Sequence, residues 1–286
     1  MSTRVVVAAL VVLALGGCAG KKTTAPADQL WRAANEAFDD EAWQVAVERY
    51  KAMLDQYPFD PNAEEAELRI ARAHYLAASF PEAIAAFENF ERMHPTSSHL
   101  AMVEYHRGMS YAMQHGSADR DQRFASSALT SFRNVIDRFP NGSWAQKSEL
   151  RIRECREALA SHEGVVADFY LDRGSLRSAE ARLAMLLTSY ADTDAAATML
   201  EGFAEAWTDR GEEGPATLAR QTLVRLHPET PEGVQARAEL EGRSIGDDPL
   251  SDLLAWIASA STTATRLDVP RAVSAFPDTA PTGPRQ

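Results

Sequence analysis

Several segments of the chain carry apolar residues at helical spacing and stop at a similar short signal. Four of them end in an aromatic residue or a histidine followed by proline: Tyr57-Pro58, His94-Pro95, Phe139-Pro140 and His227-Pro228. A fifth, Tyr190-Ala191, has the aromatic residue without the proline. Because proline cannot continue a helix, each signal predicts the end of one.

Small and large residues recur ahead of these ends. The pairs, four residues apart, are Ala46 and Tyr50, Ala83 and Phe87, and Ala128 and Phe132. This resembles the second helix of a tetratricopeptide repeat, where alanine permits close helix approach and the aromatic ring fills the groove. The matching positions of first helices are Ala71 with His74 and Tyr75, Gly108 with Tyr111, Ala167 with Tyr170, and Ala204 with Trp207.

The spacing of the signals fits one repeat. Pro58 to Pro95 is 37 residues, and so is Ala191 to Pro228. The two longer intervals exceed this by 8 and 14 residues, which fall on a polar loop at 115–122 and on a longer helix through 144–160. The sequence therefore predicts an all-α, right-handed solenoid of about five tetratricopeptide-type helix pairs over residues 28–242. Solenoids of this kind expose long concave surfaces that hold other proteins.

The tail, residues 243–286, has a different pattern. Leu250, Leu253, Leu254 and Ile257 share one helical face, and Asp248-Pro249 is a suitable helix start. Four prolines and little apolar periodicity after residue 261 predict disorder. We expect the short helix to cap the array; the alternative is a partner-binding peptide.

The first 18 residues have the build of a processing signal. One basic residue, Arg4, precedes an apolar run at 5–15, which as a helix rises only about 16 Å and is too short to span a bilayer. The sequence Leu15-Gly16-Gly17-Cys18 then resembles the bacterial lipobox. It predicts a signal peptide at 1–17 and a lipidated Cys18, carrying acyl chains such as palmitate, on a tether at 18–27. The alternative is an ordinary secretory signal in which Cys18 is incidental. Ala19, rather than aspartate, favours the outer membrane, with the folded part on its periplasmic face.

Charge limits the classes of partner. The 286 residues include 41 acidic and 29 basic ones, a net −12. This balance argues against nucleic-acid binding and against adsorption to anionic lipid, so membrane contact is expected only through the lipid anchor. Residues 28–67 alone carry a net −8, whereas residues 119–182 carry a net +1. Two cysteines rule out a disulfide framework and a cysteine-rich zinc site.

Candidate chemistry is sparse. The chain lacks H-E-x-x-H, Walker A and S-x-x-K constellations. Cys155 and His162 are seven residues apart on one predicted helix, about 10.5 Å of rise, which is too far for a thiolate–imidazole pair. Cys155 is most simply a core residue. We therefore predict no catalytic residues, no metal site, no cofactor and no enzymatic activity.

Two arginines break the repeat pattern. Where three repeats place an aromatic residue, the fourth is predicted to have Arg182 and the fifth Arg220. A guanidinium in such a position needs a carboxylate. That carboxylate belongs either to the chain itself or to a partner, and the residues alone leave both possibilities open.

Together, these features resemble the BamD (ComL) family of outer-membrane β-barrel assembly lipoproteins. The residues concerned are the lipobox, the five repeats, Tyr57-Pro58-Phe59-Asp60-Pro61, Asp119-Arg120-Asp121 and Tyr170-Leu171-Asp172-Arg173-Gly174. The resemblance implies that the amino-terminal repeats bind unfolded outer-membrane proteins, with Tyr57 and Phe59 as contacts. It also implies that the carboxy-terminal repeats dock on the POTRA domains of a BamA-type barrel insertase through Arg182, in a complex with other assembly lipoproteins. Asp60 departs from the family, where relatives have glycine.

A second hypothesis is a different periplasmic tetratricopeptide lipoprotein, such as a secretin pilotin or a cell-wall-associated adaptor. It predicts that the chain co-purifies with a secretin or with peptidoglycan enzymes. Loss of many outer-membrane barrels on depletion would separate it from the first hypothesis.

Overall fold

A computed structural model describes residues 25–118 and 121–267, with side chains as far as residue 260. Every regular element in those residues is a helix, which confirms the all-α class. The helices are α1 (Ala27–Asp39), α2 (Trp43–Gln56), α3 (Ala63–Leu76), α4 (Phe80–Met93), α5 (Leu100–Ala112), α6 (Arg123–Arg138), α7 (Ser143–Asp172), α8 (Leu176–Tyr190), α9 (Asp194–Asp209), α10 (Glu213–Leu226), α11 (Pro231–Glu239) and α12 (Pro249–Leu267). The signal peptide, Cys18, Asp119-Arg120 and residues 268–286 lie outside this description.

The small and aromatic positions of the repeats are core positions. The three alanines and the three aromatic rings are 0% exposed: Ala46, Ala83, Ala128, Tyr50, Phe87 and Phe132. The aromatic or histidine residue of each proline-terminated signal follows directly after the last residue of α2, α4, α6 or α10. Helix pairs thus meet and end where the sequence pattern places them.

The two longer intervals also have the predicted origin. The excess of 14 residues lies in α7, a single helix of 30 residues. The excess of 8 lies in the connection between α5 and α6. Neither insertion interrupts the order of the pairs.

The assignment of Arg182 to the aromatic position of the fourth repeat is wrong by one residue. Leu183, not Arg182, stands eight residues before Ala191, as Tyr50 stands eight before Pro58. Leu183 is 0% exposed, whereas the Arg182 side chain is 34% exposed. Leucine fills the aromatic position in this repeat, and Arg182 lies beside it at the edge of the core. Arg220 does occupy the aromatic position of the fifth repeat.

The chain forms two compact units, with the boundary between Ser110 and Tyr111 inside α5. In the first unit, α1 packs on α2, α2 on α3, and α3 on α4. In the second, α6 packs on α7, α7 on α8 and α9, and α9 on α10.

The last helix, α12, completes the core of the second unit. It packs against α8 and α10, and its Leu253 and Ile257 are 0% and 2% exposed. Trp256 lies edge-on to Trp207 with ring centroids 5.5 Å apart. The buried Glu180 accepts a hydrogen bond from Trp207 Nε1 at 3.0 Å. These contacts agree with the expected cap, and α12 runs ten residues past Ile257.

Among the helices that the structure describes, none has the length and apolar character needed to cross a bilayer.

Candidate functional site

The turn between α2 and α3 presents one aromatic side chain to solvent. Phe59 is 97% exposed, in a turn flanked by two prolines. The backbone of the turn is held closed because Asp60 N–H donates to the Tyr57 carbonyl at 3.1 Å and Ala63 N–H donates to the Asp60 carbonyl at 2.9 Å. The Asp60 carboxylate accepts two further bonds from Asn62, at 2.8 and 2.9 Å. An exposed apolar ring on a rigid turn can bind another apolar group at little entropic cost.

Tyr57 begins the same turn but is half-buried. Its backbone N–H donates to the Met53 carbonyl at 2.8 Å. Its hydroxyl donates to the backbone carbonyl of Ala25 at 3.0 Å, across 32 residues of sequence. The family resemblance implies that Tyr57 and Phe59 are both contacts, and of these two rings Phe59 is the exposed one.

A polar and aromatic layer supports the helices behind this turn. The Arg69 guanidinium lies 5.5 Å from the ring centroid of Trp31 and 5.4 Å from that of Phe38. It also donates to Glu65 at 2.8 Å and to Asn35 at 3.0 Å. Because Arg69 joins α3 to α1, it fixes the first pairs relative to each other. Only its place in the folded chain shows this role; its sequence position gives no sign of it.

A cleft of about 460 Å³ opens between α2, α3 and α4. Leu54 and Ile70 are among its apolar lining residues, and Lys51, His74 and Glu82 are among its polar ones. Burial lowers the pKa of His74, Lys51 adds to that effect, and Glu82 opposes it. His74 therefore favours its neutral form, and the cleft combines apolar walls with charges of both signs.

In the second unit, Arg182 is part of a partly exposed ion pair. Its Nη1 donates to Glu163 Oε2 on α7 at 3.2 Å. The side chains of Arg182 and Glu163 are 34% and 16% exposed. Met185, one turn along α8, is 52% exposed and lines an open cleft of about 380 Å³ together with Glu163. A guanidinium has five N–H donors, so a second carboxylate can share it with Glu163.

Arg220 has very different surroundings. Its Nε donates to Glu239 at 2.6 Å and its Nη2 to Thr208 at 3.1 Å. Glu201, Glu205 and Glu232 line the same small pocket. Burial first, and then these neighbouring carboxylates, raise the pKa of Glu201. An acidic group of a partner would meet this negative field, so the surroundings of Arg220 favour a structural role.

The cysteine and histidine side chains that could take part in chemistry are held in structural contacts. Cys155 is 7% exposed, and burial raises its pKa to about 11. His227 Nε2 lies 2.7 Å from the Ala191 carbonyl, and His94 Nε2 lies 2.7 Å from Glu67. In residues 25–118 and 121–267, no group of three or more His, Cys, Asp or Glu side chains is placed to hold a metal ion.

Comparison with known proteins finds a family and several relatives. The sequence profile of the YfiO family, described as an outer membrane lipoprotein, matches residues 23–223. The outer membrane protein assembly factor BamD of Vibrio cholerae is 28% identical over 232 residues, which cover 77% of this chain and 96% of the relative.

Two further relatives carry the same name. BamD of Rickettsia prowazekii is 30% identical over 196 residues, covering 67% of this chain and 78% of the relative. BamD of Neisseria meningitidis serogroup A is 26% identical over 214 residues, covering 71% and 80%. The matched profile includes both the turn of Phe59 and the Arg182–Glu163 pair.

Proposed function

Because the chain belongs to the YfiO family of outer-membrane lipoproteins, which includes BamD, we propose that it is an assembly factor for outer-membrane proteins. It works as a non-enzymatic scaffold on the periplasmic face of the outer membrane. One unit binds an unfolded barrel protein, and the other docks on the POTRA domains of a barrel insertase. The match over residues 23–223 carries this proposal, since it spans the candidate contact of each unit.

The membrane anchor of this scaffold is the lipid on Cys18. The lipobox sequence Leu15-Gly16-Gly17-Cys18 supports it, as does the lipoprotein description of the family. With two or more acyl chains the attachment is stable and needs no help from the protein surface.

The substrate contact is the ring of Phe59 in the first unit. Unfolded barrel proteins carry alternating apolar side chains on the face that later meets lipid. An aromatic ring that is 97% exposed and rigidly held suits such side chains. The net −8 of residues 28–67 keeps this unit away from anionic lipid.

The docking contact is Arg182 in the second unit. Its pair with Glu163 leaves a third of the side chain exposed. A carboxylate on the insertase can therefore join the existing pair without first exposing a buried charge. The same unit offers the exposed Met185 beside it as an apolar contact. Other lipoproteins of the assembly complex are further partners in this proposal.

A detergent pull-down from cells tests the docking. We expect the tagged chain to recover a POTRA-domain barrel protein, and Arg182→Glu to reduce the recovery roughly tenfold because it replaces attraction by repulsion. Arg153→Glu on the exposed part of α7 is the matched charge reversal and should leave recovery intact. Glu163→Gln removes the internal ion pair but keeps the arginine, so it should retain docking.

Two outcomes would contradict the proposal. Recovery of a secretin or a peptidoglycan enzyme, with no barrel insertase, would identify another class of lipoprotein. Equal losses in Arg182→Glu and Glu163→Gln would show that the ion pair serves folding rather than docking.

A further inference from the structure

The Tyr57 hydroxyl links the turn of Phe59 to the start of the folded chain. We propose that Tyr57 is a positioning residue that ties the lipid-bearing tether to this turn, so that Phe59 is held at the membrane-facing end of the first unit. The proposal rests on the proposed lipid anchor at Cys18 and assigns to Tyr57 a role other than touching the substrate.

Both ends of the link are fixed. The Tyr57 hydroxyl donates to the Ala25 carbonyl at 3.0 Å. The backbone of Tyr57 is itself bonded on both sides, through its N–H to Met53 and through its carbonyl to Asp60. Ala25 directly precedes Pro26, whose carbonyl accepts from Gln29 and Leu30 in the first turn of α1. The hydrogen bond therefore joins two rigid segments, and the proton of the Tyr57 hydroxyl is engaged within the fold rather than offered to a substrate.

The tether is short, so the point at which it leaves the fold determines which part of the first unit lies near the membrane. Seven peptide units separate Cys18 from Ala25, and at full extension they span at most about 25 Å. With Ala25 held against Tyr57, the turn of Phe59 stays close to the point where the tether leaves the fold. Without the link, only Ala25 is released, because Pro26 is held by the first turn of α1. This adds about 3.5 Å of slack, and the tether can leave α1 in other directions.

Tyr57 affects substrate binding only through the location of the turn that carries Phe59. A substrate that approaches along the membrane surface meets Phe59 only if the turn faces that surface. The ring of Phe59 makes the contact, and Tyr57 sets its location. Loss of the hydroxyl should therefore change where the turn lies, while the turn itself keeps its own backbone hydrogen bonds.

The test uses the full lipidated chain in vesicles of zwitterionic phospholipid. A spin label on Ala25→Cys reports the local link, since the backbone carbonyl is retained. We expect Tyr57→Phe to raise the mobile fraction of the label about fivefold, as expected for the loss of one neutral hydrogen bond. Tyr170→Phe in the second unit removes a hydroxyl elsewhere and should leave the label unchanged.

A second spin label, on Phe59→Cys, reports the distance between the turn and the bilayer. A paramagnetic metal ion chelated to lipid headgroups shortens the relaxation time of the label according to that distance. With Tyr57 present we expect a narrow distance distribution, and with Tyr57→Phe a broader one with a longer mean. An unchanged mobile fraction would overturn the link. A higher mobile fraction with an unchanged distance distribution would overturn its positioning role.

Neither measurement depends on a bound protein. If the chain bound no barrel protein at all, the proposed function would fail while both label results could still stand. If barrel proteins bound but the Phe59 label kept its distances in Tyr57→Phe, only the positioning role would fail.

Discussion

Single residues show how burial decides chemistry in this chain. Of the two cysteines, Cys155 lies in the part of the chain that the structure describes, and this residue of α7 is 7% exposed. Burial, with Glu154 adding and Arg151 opposing, raises its pKa from 9.0 to about 11. The folded state therefore favours the neutral thiol. This contribution to stability is fully present below pH 9 and is lost as the pH rises through about 11.

We predict that Cys155 resists alkylation in the native protein. At pH 8 its thiolate fraction should be about one hundredth of that in the unfolded chain, since the pKa differs by about two units. Mass spectrometry after timed iodoacetamide treatment measures the rate, and the same treatment in urea is the control. A native rate equal to the rate in urea would show that the thiol is accessible and ionised.

For single residues, the sequence predicts which side chains are buried in the core better than it predicts which side chains pair with each other. Tyr50, Phe87 and Phe132 are found from spacing because their repeats share one pattern. Leu183 is missed because leucine fills the aromatic position and a conspicuous arginine stands next to it. Glu163, the partner of Arg182, lies 19 residues away on another helix, so only the folded chain brings the two together.

Whole elements were more predictable, because each helix end has a local signal and each insertion changes a repeat length. The long α7 and the loop after α5 follow from intervals between signals. The tail is harder to predict, since it lies outside the repeat and its helix has no interval to compare with. Its start at Pro249 follows from the sequence, whereas its packing against α8 and α10 required the structure.

Removal of α12 should therefore destabilise the second unit. Leu253 and Ile257 become fully buried in the fold, and each such side chain contributes roughly 2 kcal/mol. We expect truncation before Pro249 to lower the free energy of unfolding of this unit by about 3–5 kcal/mol, measured by urea titration with tryptophan fluorescence. Truncation after Leu267 keeps the helix and serves as the control. If both truncations unfolded at the same urea concentration, α12 would not be a cap.

At the scale of the whole molecule, the proposed function gives surface charge and the lipid anchor separate roles. Without residues 1–17, the predicted signal peptide, 28 basic and 41 acidic residues give a net −13, with −8 in residues 28–67. A surface of this sign does not adsorb to anionic bilayers, because that requires a basic patch. Acyl chains act independently of charge, since they insert by the hydrophobic effect. In the proposed function, the acidic repeats then remain available to polypeptides while the lipid on Cys18 holds the chain at the membrane.

This division predicts that Cys18→Ser abolishes membrane binding altogether. In vesicle flotation, we expect the purified lipidated chain to float with both zwitterionic and anionic vesicles. The Cys18→Ser chain, produced without the apolar residues 1–17, should float with neither. Cys155→Ser is the matched control, because it replaces the buried cysteine and leaves the lipidation site intact. Flotation of Cys18→Ser with anionic vesicles would mean that the protein surface itself binds lipid, in spite of its charge. Since salt screens surface charge but not acyl insertion, flotation of the lipidated chain should also be unchanged between low and high salt.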